Sequence, residues 1–187
     1  QIASVVKTGP AIINDPLLNE VTDLVEWPVA LLGSFEQHFL KMPPEVLITL
    51  MEKQQRYFPV ANKAKKLLPY FVIISNIKSK NPKRVIEGNE RVIKARLSDA
   101  EYFYHKDLQT PLVSYCDKLK SVVFQTKLGS LYDKTLRLKS LSAFIASKIK
   151  ANVEHSQRAA ELSKCDLMTS MVWEFPELQG VMGSYYA

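Results

Sequence analysis

Apolar residues recur at helical spacing through the middle of the chain. Ile93, Leu97, Ala100 and Tyr104 fall at steps of four, three and four, which predicts a helix over 88–103 with one core-facing stripe. Arg91, Lys94 and Ser98 lie on another side of that helix, with Lys83 and Arg84 just upstream. Arg96 and Asp99 are three apart and are expected to pair. Before this stretch the pattern is mixed. Leu17, Leu18, Val21, Leu24 and Val25 predict a helix that Asp15 caps, Pro16 enters and Trp27-Pro28 ends. Residues 29–35 read as a buried strand. Pro43-Pro44 opens a helix with Val46, Leu47, Leu50 and Met51 inside and Glu52 to Arg56 as its polar end. Residues 57–60 and 68–75 are β-branched and aromatic and flank a lysine-rich turn, so they predict an antiparallel hairpin with Pro59 on an edge.

After Pro111 the strand signals stop. Val113, Cys116, Leu119 and Val123 predict one helix running towards Gly129. Ser130-Leu131-Tyr132-Asp133 reads as a capping box that starts the next, continued by Leu138, Leu141, Ile145 and Ile149. Ala159, Leu162, Asp166 and Met171 predict a further helix that Phe175-Pro176 breaks, and 178–186 is helical again. The expected fold class is α+β, mostly helical, with a small antiparallel or mixed sheet followed by a helical region. The expected parts are 1–110, mixed, and 111–187, helical, and the helix at 88–103 links them.

Composition narrows this picture. Of 187 residues 47% are hydrophobic, enough for a core, and no apolar run approaches the roughly 20 residues of a membrane span. Net charge is +6 with a pI near 9.2, which permits a polyanionic partner. The chain lacks an initiating Met and stops at Tyr185-Tyr186-Ala187, so it is expected to be an internal piece of something longer. Cys116 and Cys165 are far apart and in no CxxC, and are expected to be buried, reduced thiols of a cytosolic protein.

Candidate chemistry is sparse. The six glycines form neither G-x-G-x-x-G nor a P-loop. Three scattered histidines, His38, His105 and His155, make no His-Asp doublet, and Lys164 beside Cys165-Asp166 would repel a cation, so no metal site is expected. No residues are singled out as catalytic. Cys165 beside Lys164 reads as a packed thiol, and Glu174 and Glu177 bracket Phe175-Pro176 without a cleft to act in. Basic residues do interleave with aromatics at Arg56-Tyr57-Phe58 and from Arg96 to Tyr104, which suits RNA. The same pattern also suits core aromatics beside a solvated basic face, and spacing leaves both readings open.

Several blocks resemble one family in order along the chain. They are Leu24-Val25-Glu26-Trp27-Pro28, Gln54-Gln55-Arg56-Tyr57-Phe58-Pro59-Val60, Gly88-Asn89-Glu90-Arg91-Val92 with Ala95 to Glu101, Phe124-Gln125 with Leu128-Gly129 and Asp133-Lys134-Thr135, Leu162 to Thr169, and Gln179 to Gly183. The family is the β subunit of bacterial heterotetrameric glycyl-tRNA synthetase. The resemblance implies a cytoplasmic α2β2 ligase that joins glycine to tRNA(Gly) with ATP and Mg²⁺. Its active site and these cofactors lie in the α subunit, and none is expected in this fragment. It implies the α subunit, tRNA(Gly) and the rest of the β subunit as partners. It also implies that 1–110 is similar to part of a B3/B4-like synthetase domain and that 111–187 starts a degenerate HD-like domain. By charge, and not by family assignment, Lys53, Arg56, Arg84, Arg91, Lys94 and Arg96 are the RNA-contacting candidates. The alternatives are a scaffold between subunits or domains, touching no RNA, and a vestigial HD-type phosphohydrolase.

Overall fold

The computed structural model describes residues 2–6 and 9–187. The chain forms two compact units, Gln1–Glu101 and Tyr102–Ala187.

In the first unit, α1 (Ile2–Val5) precedes α2 (Asp15–Leu24). Asn14, one residue ahead of the expected Asp15, is the N-cap of α2. Its Oδ1 accepts from the Leu17 N–H, and its Nδ2 donates to Glu52 Oε2 at 2.8 Å. That second bond satisfies a carboxylate that is only 7% exposed, though its segment reads as polar and outward-facing. β1 (Val29–Ser34) leads through a 3₁₀ turn at Gln37–Lys41 into α3 (Pro44–Thr49), which continues as one π turn at Leu50–Gln54. β2 (Phe58–Ala61) and β3 (Leu67–Ser75) form the expected hairpin. β3 is central and antiparallel to both neighbours, in the order β1-β3-β2. Gly33 lies opposite Phe71, and a Cβ there would come within 2.6 Å of the phenyl ring. The outer edge of β2 is covered: Ile12 N donates to Pro59 O and Ala61 N to Pro10 O. Leu17, Val21, Ala30, Phe58, Val60 and Val72 form one core cluster.

The π turn ends at Arg56, whose φ of 56° lies in the left-handed region. Arg56 N donates to Glu52 O and Tyr57 N to Met51 O, so a non-glycine residue occupies the helix-stopping position. α4 (Pro82–Asp107) is one unbroken helix, and Ile93, Leu97 and Ala100 are each wholly buried, as their spacing predicts.

The second unit departs more from expectation. The helix expected to run to Gly129 is instead a 3₁₀ segment, Leu112–Ser121, followed by a hairpin of β4 (Val123–Gln125) and β5 (Gly129–Ser130). Gly129 turns with φ 84°, and a Cβ there would collide with Asp133. α5 (Leu131–Lys148) starts with the predicted capping box: Asp133 N–H donates to Ser130 Oγ, and Ser130 N–H to Asp133 Oδ2. Its expected apolar stripe is not a core face. Leu141, Ile145 and Ile149 are exposed, while Thr135 and Ala146 are buried. The helix expected through Ala159, Asp166 and Met171 is three elements: α6 (Val153–Leu162), a 3₁₀ turn at Cys165–Met168, and α7 (Ser170–Glu174). Thr169 causes the second break by capping α7 through its Oγ1. A 3₁₀ turn at Pro176–Leu178 precedes α8 (Val181–Tyr186).

Two further contacts organise this unit. Asp107, 1% exposed, accepts from Ser170 N at 2.9 Å and Met171 N at 2.8 Å and so holds the start of α7. Tyr186 Oη donates to the same carboxylate at 3.4 Å. Burial, then the charge of Asp107, raises the Tyr186 phenol far above its ordinary value. Cys116 and Cys165, expected as separate thiols, are joined in a disulfide with Cα atoms 5.2 Å apart, beside Leu112, Tyr115 and Leu119. The 3₁₀ segments at Leu112–Ser121 and Cys165–Met168 pack together and bring the two sulfurs into reach, which sequence separation alone hides.

Candidate functional site

The exposed side of α4 is the strongest candidate surface. Its buried stripe fixes which way the helix faces. Two polar clamps fix where it sits. Tyr57 Oη donates to Asn89 Oδ1 at 2.5 Å, and Asn89 Nδ2 donates to Val85 O. Ser34 donates twice to Glu90 Oε1, through its N–H at 2.8 Å and its hydroxyl at 2.7 Å. Burial of Tyr57 pushes its phenol up to about 12. The Gly88-Asn89-Glu90 block therefore ties α4 to β1 and to the residue entering β2.

All six cationic candidates are exposed, but they are not equivalent. Arg56 Nε donates to Glu20 Oε1 at 2.6 Å. Lys94 is paired with Glu36, and this hydrogen bond holds the Glu36 carboxyl below the usual carboxylate range. Lys53, Arg84, Arg91 and Arg96 have no carboxylate within 4 Å among the described residues. The expected Arg96–Asp99 pair is therefore not formed, and both side chains stand in solvent. Arg84 and Arg91 are seven residues apart, which places them on one outward side about 10.5 Å apart along the axis. Arg96, five residues further on, points to a different side. The counter-ions Glu20 and Glu36 lie far off in sequence, and no local signal marks them as partners.

The residues considered for an HD-like site have other partners in the fold. Asp166 is 1% exposed, and its Oδ2 accepts from Gly180 N at 2.5 Å and from Gly183 N at 3.3 Å. That oxygen faces two backbone amides. His155 is exposed on α6, and its N–H is capped by Asn152. Among the described residues no three His, Cys, Asp or Glu side chains converge to hold a metal. A groove of about 900 Å³ between α2 and the sheet is lined mostly by apolar side chains, with Lys63 the one charged residue among the described residues that line it. No acid–base pair lines it among the described residues. No helix among the described residues is long and apolar enough to cross a membrane.

The sequence matches the family described as glycyl-tRNA synthetase beta subunit over residues 1–187. The glycine–tRNA ligase beta subunit of Coxiella burnetii (strain RSA 493 / Nine Mile phase I) is 59% identical over 179 residues, covering 96% of this chain and 26% of that protein. The protein of the same name from Aliivibrio fischeri (strain MJ11) is 53% identical over 96% of this chain and 26% of its own. That from Hahella chejuensis (strain KCTC 2396) is 52% identical over 100% and 27%. The chain spans about a quarter of the length of these relatives. With one family matched along its whole length, the chain belongs to the glycyl-tRNA synthetase beta subunit family.

Proposed function

We propose that this chain is a tRNA-recognition and assembly region of a cytoplasmic glycine–tRNA ligase. In this reading the ligase couples ATP to the aminoacylation of tRNA(Gly), and ATP and Mg²⁺ bind in the α subunit. The chain's partners are that subunit, tRNA(Gly) and the rest of the β subunit. Residues 1–110 are part of a B3/B4-like domain and 111–187 begin an HD-like one whose metal chemistry is lost. Family membership supports the ligase assignment. The observation that carries RNA contact is Arg84 and Arg91, two solvated guanidinium groups without counter-ions on one side of an anchored helix. Such groups suit phosphates, and phosphate contacts position an RNA without reading its sequence. Footprinting of tRNA(Gly) on the complete α/β enzyme tests this. Arg84→Glu with Arg91→Glu is expected to remove a patch of protected phosphates, and an unchanged footprint refutes it.

One observation favours scaffolding for the second unit. Leu141, Phe144, Ile145 and Ile149 are 47–68% exposed along α5 and its end. An apolar row of this kind suits cover by protein. Phe144→Ser with Ile145→Ser is expected to loosen the complete assembly in sedimentation while leaving the phosphate footprint intact.

A further inference from the structure

A second surface lies at the other end of β3 from its hairpin turn. Asn76 Oδ1 accepts from the backbone N–H groups of Glu26, at 2.9 Å, and Trp27, at 3.1 Å. This clamp joins the backbone at Trp27 to the residue before Ile77, and both large apolar side chains are exposed, Trp27 at 70% and Ile77 at 67%. The fold uses the Trp27 backbone and leaves its indole free. From Ile77 the chain runs Lys78-Ser79-Lys80-Asn81-Pro82-Lys83-Arg84, four cations in seven residues with no acid among them. All four cations are exposed, and among the described residues only Lys83 has a carboxylate within 4 Å, Glu87 at 3.8 Å. Asp23 and Glu26 are the nearest acids in sequence on the Trp27 side, and neither pairs with these lysines. The loop is held in shape by its own side chains. Ser75 Oγ donates to Ile77 O at 3.0 Å, and Asn81 N donates to Ser79 Oγ at 3.1 Å.

An exposed indole whose backbone is held by Asn76, followed two and four residues on by the exposed Lys78 and Lys80, suits an unpaired nucleotide: a base has a π face and its neighbours carry phosphates. The density of positive charge favours RNA over a protein partner. We propose that Trp27, Ile77, Lys78 and Lys80 form a binding surface for an unpaired RNA nucleotide, with the indole stacking on the base and the two lysines holding the adjoining phosphates. This deepens the tRNA-binding reading and rests on it, but the four residues of the surface include none of the guanidinium groups of α4.

The test uses the complete α/β enzyme and a tRNA(Gly) transcript, with affinity measured by fluorescence anisotropy across a salt series. Trp27→Ala is expected to raise Kd by about 5-fold to 150-fold, the span of one base–aromatic stack. The salt dependence should stay unchanged, because no phosphate contact is lost. Trp27→Phe should recover part of the affinity. Lys78→Ala with Lys80→Ala should instead flatten the salt dependence. Sedimentation of the Trp27→Ala enzyme should show α and β still associated. Wild-type affinity in Trp27→Ala, or its dissociation into separate subunits, overturns the proposal, the second outcome marking a protein interface instead. Loss of binding in the Arg84/Arg91 variant bears on α4 alone, so the two readings fail separately.

Discussion

The salt dependence of tRNA binding turns the geometry of α4 into a number. Arg84 and Arg91 are exposed and unpaired, so each can neutralise one phosphate and release its counterions. Each such contact contributes a slope of about 0.9 in log K against log salt on a duplex and about 0.7 on a single strand. Arg84→Ala with Arg91→Ala should therefore flatten the slope by about 1.4–1.8. Between 50 and 200 mM salt the wild-type affinity should fall about 7-fold to 12-fold further than that of the variant. Lys94 supplies the control. Its ammonium is engaged by Glu36, so Lys94→Gln with Glu36→Gln removes one cation and one anion together. That variant should leave the slope as it is. The assay is filter binding of tRNA(Gly) to the complete enzyme at several salt concentrations. Equal slopes for wild type and the arginine variant would refute the reasoning. So would a flattened slope in the charge-neutral control, which would mean that Lys94 leaves Glu36 to meet phosphate.

Three further outcomes follow from contacts within the units. Asp107→Ala strands two amide N–H groups at the start of α7 and should destabilise that region by about 2–5 kcal/mol. Hydrogen exchange over 165–187 should accelerate, and unchanged protection there would refute the capping role. Reducing the Cys116–Cys165 link should cost the second unit up to about 4 kcal/mol, the loop-closure value for a sequence separation of 49. Exchange over 112–121 should rise with dithiothreitol in the wild type but not in Cys165→Ala, and equal protection with and without reductant would contradict it. Tyr57 favours its neutral form in the fold, with its phenol raised to about 12 against about 10 when unfolded. Its contribution is therefore complete below pH 10 and is lost as pH rises from about 10 to about 12. Alkaline denaturation curves should shift in that window, and Tyr57→Phe should abolish the shift.

What periodicity could reveal, it revealed on α4. Its buried residues are in a single row, and the burial of Ile93, Leu97 and Ala100 follows from spacing, while Val92 and Tyr102 off that row are exposed. The capping box at Ser130 is local, its partners three residues apart, and the hairpin of β2 and β3 is nearly so, its strands adjacent in sequence across one short turn. Periodicity failed on α5, where Leu141, Ile145 and Ile149 make a convincing stripe yet face solvent. Spacing shows that residues share a face and not which face is covered. It failed again at Val123–Ser130, where a strand of three residues is too short to show alternation. Charge was the least legible property. Lys94 and Arg91 read alike in sequence, and only the fold brings Glu36 to one and leaves the other bare.

The blocks that carry the family resemblance are largely consumed by the fold. Tyr57 meets Asn89, Ser34 meets Glu90, Asn76 holds the backbone of Glu26 and Trp27, Asp133 closes on Ser130, and Asp166 receives Gly180 and Gly183. A residue engaged in this way is required whether or not the protein binds anything, so its presence in a block says little about function. The residues that inform are those in the same blocks whose side chains the fold leaves idle. Arg91 is one, exposed and without a counter-ion between clamps that hold its helix in place. Trp27 is another, its backbone fixed and its indole in water at a cost in exposed apolar surface that the fold does not recover. Both lie in the first unit and both are held from the same small sheet, Arg91 on a helix that Ser34 of β1 clamps and Trp27 by the residue that follows β3.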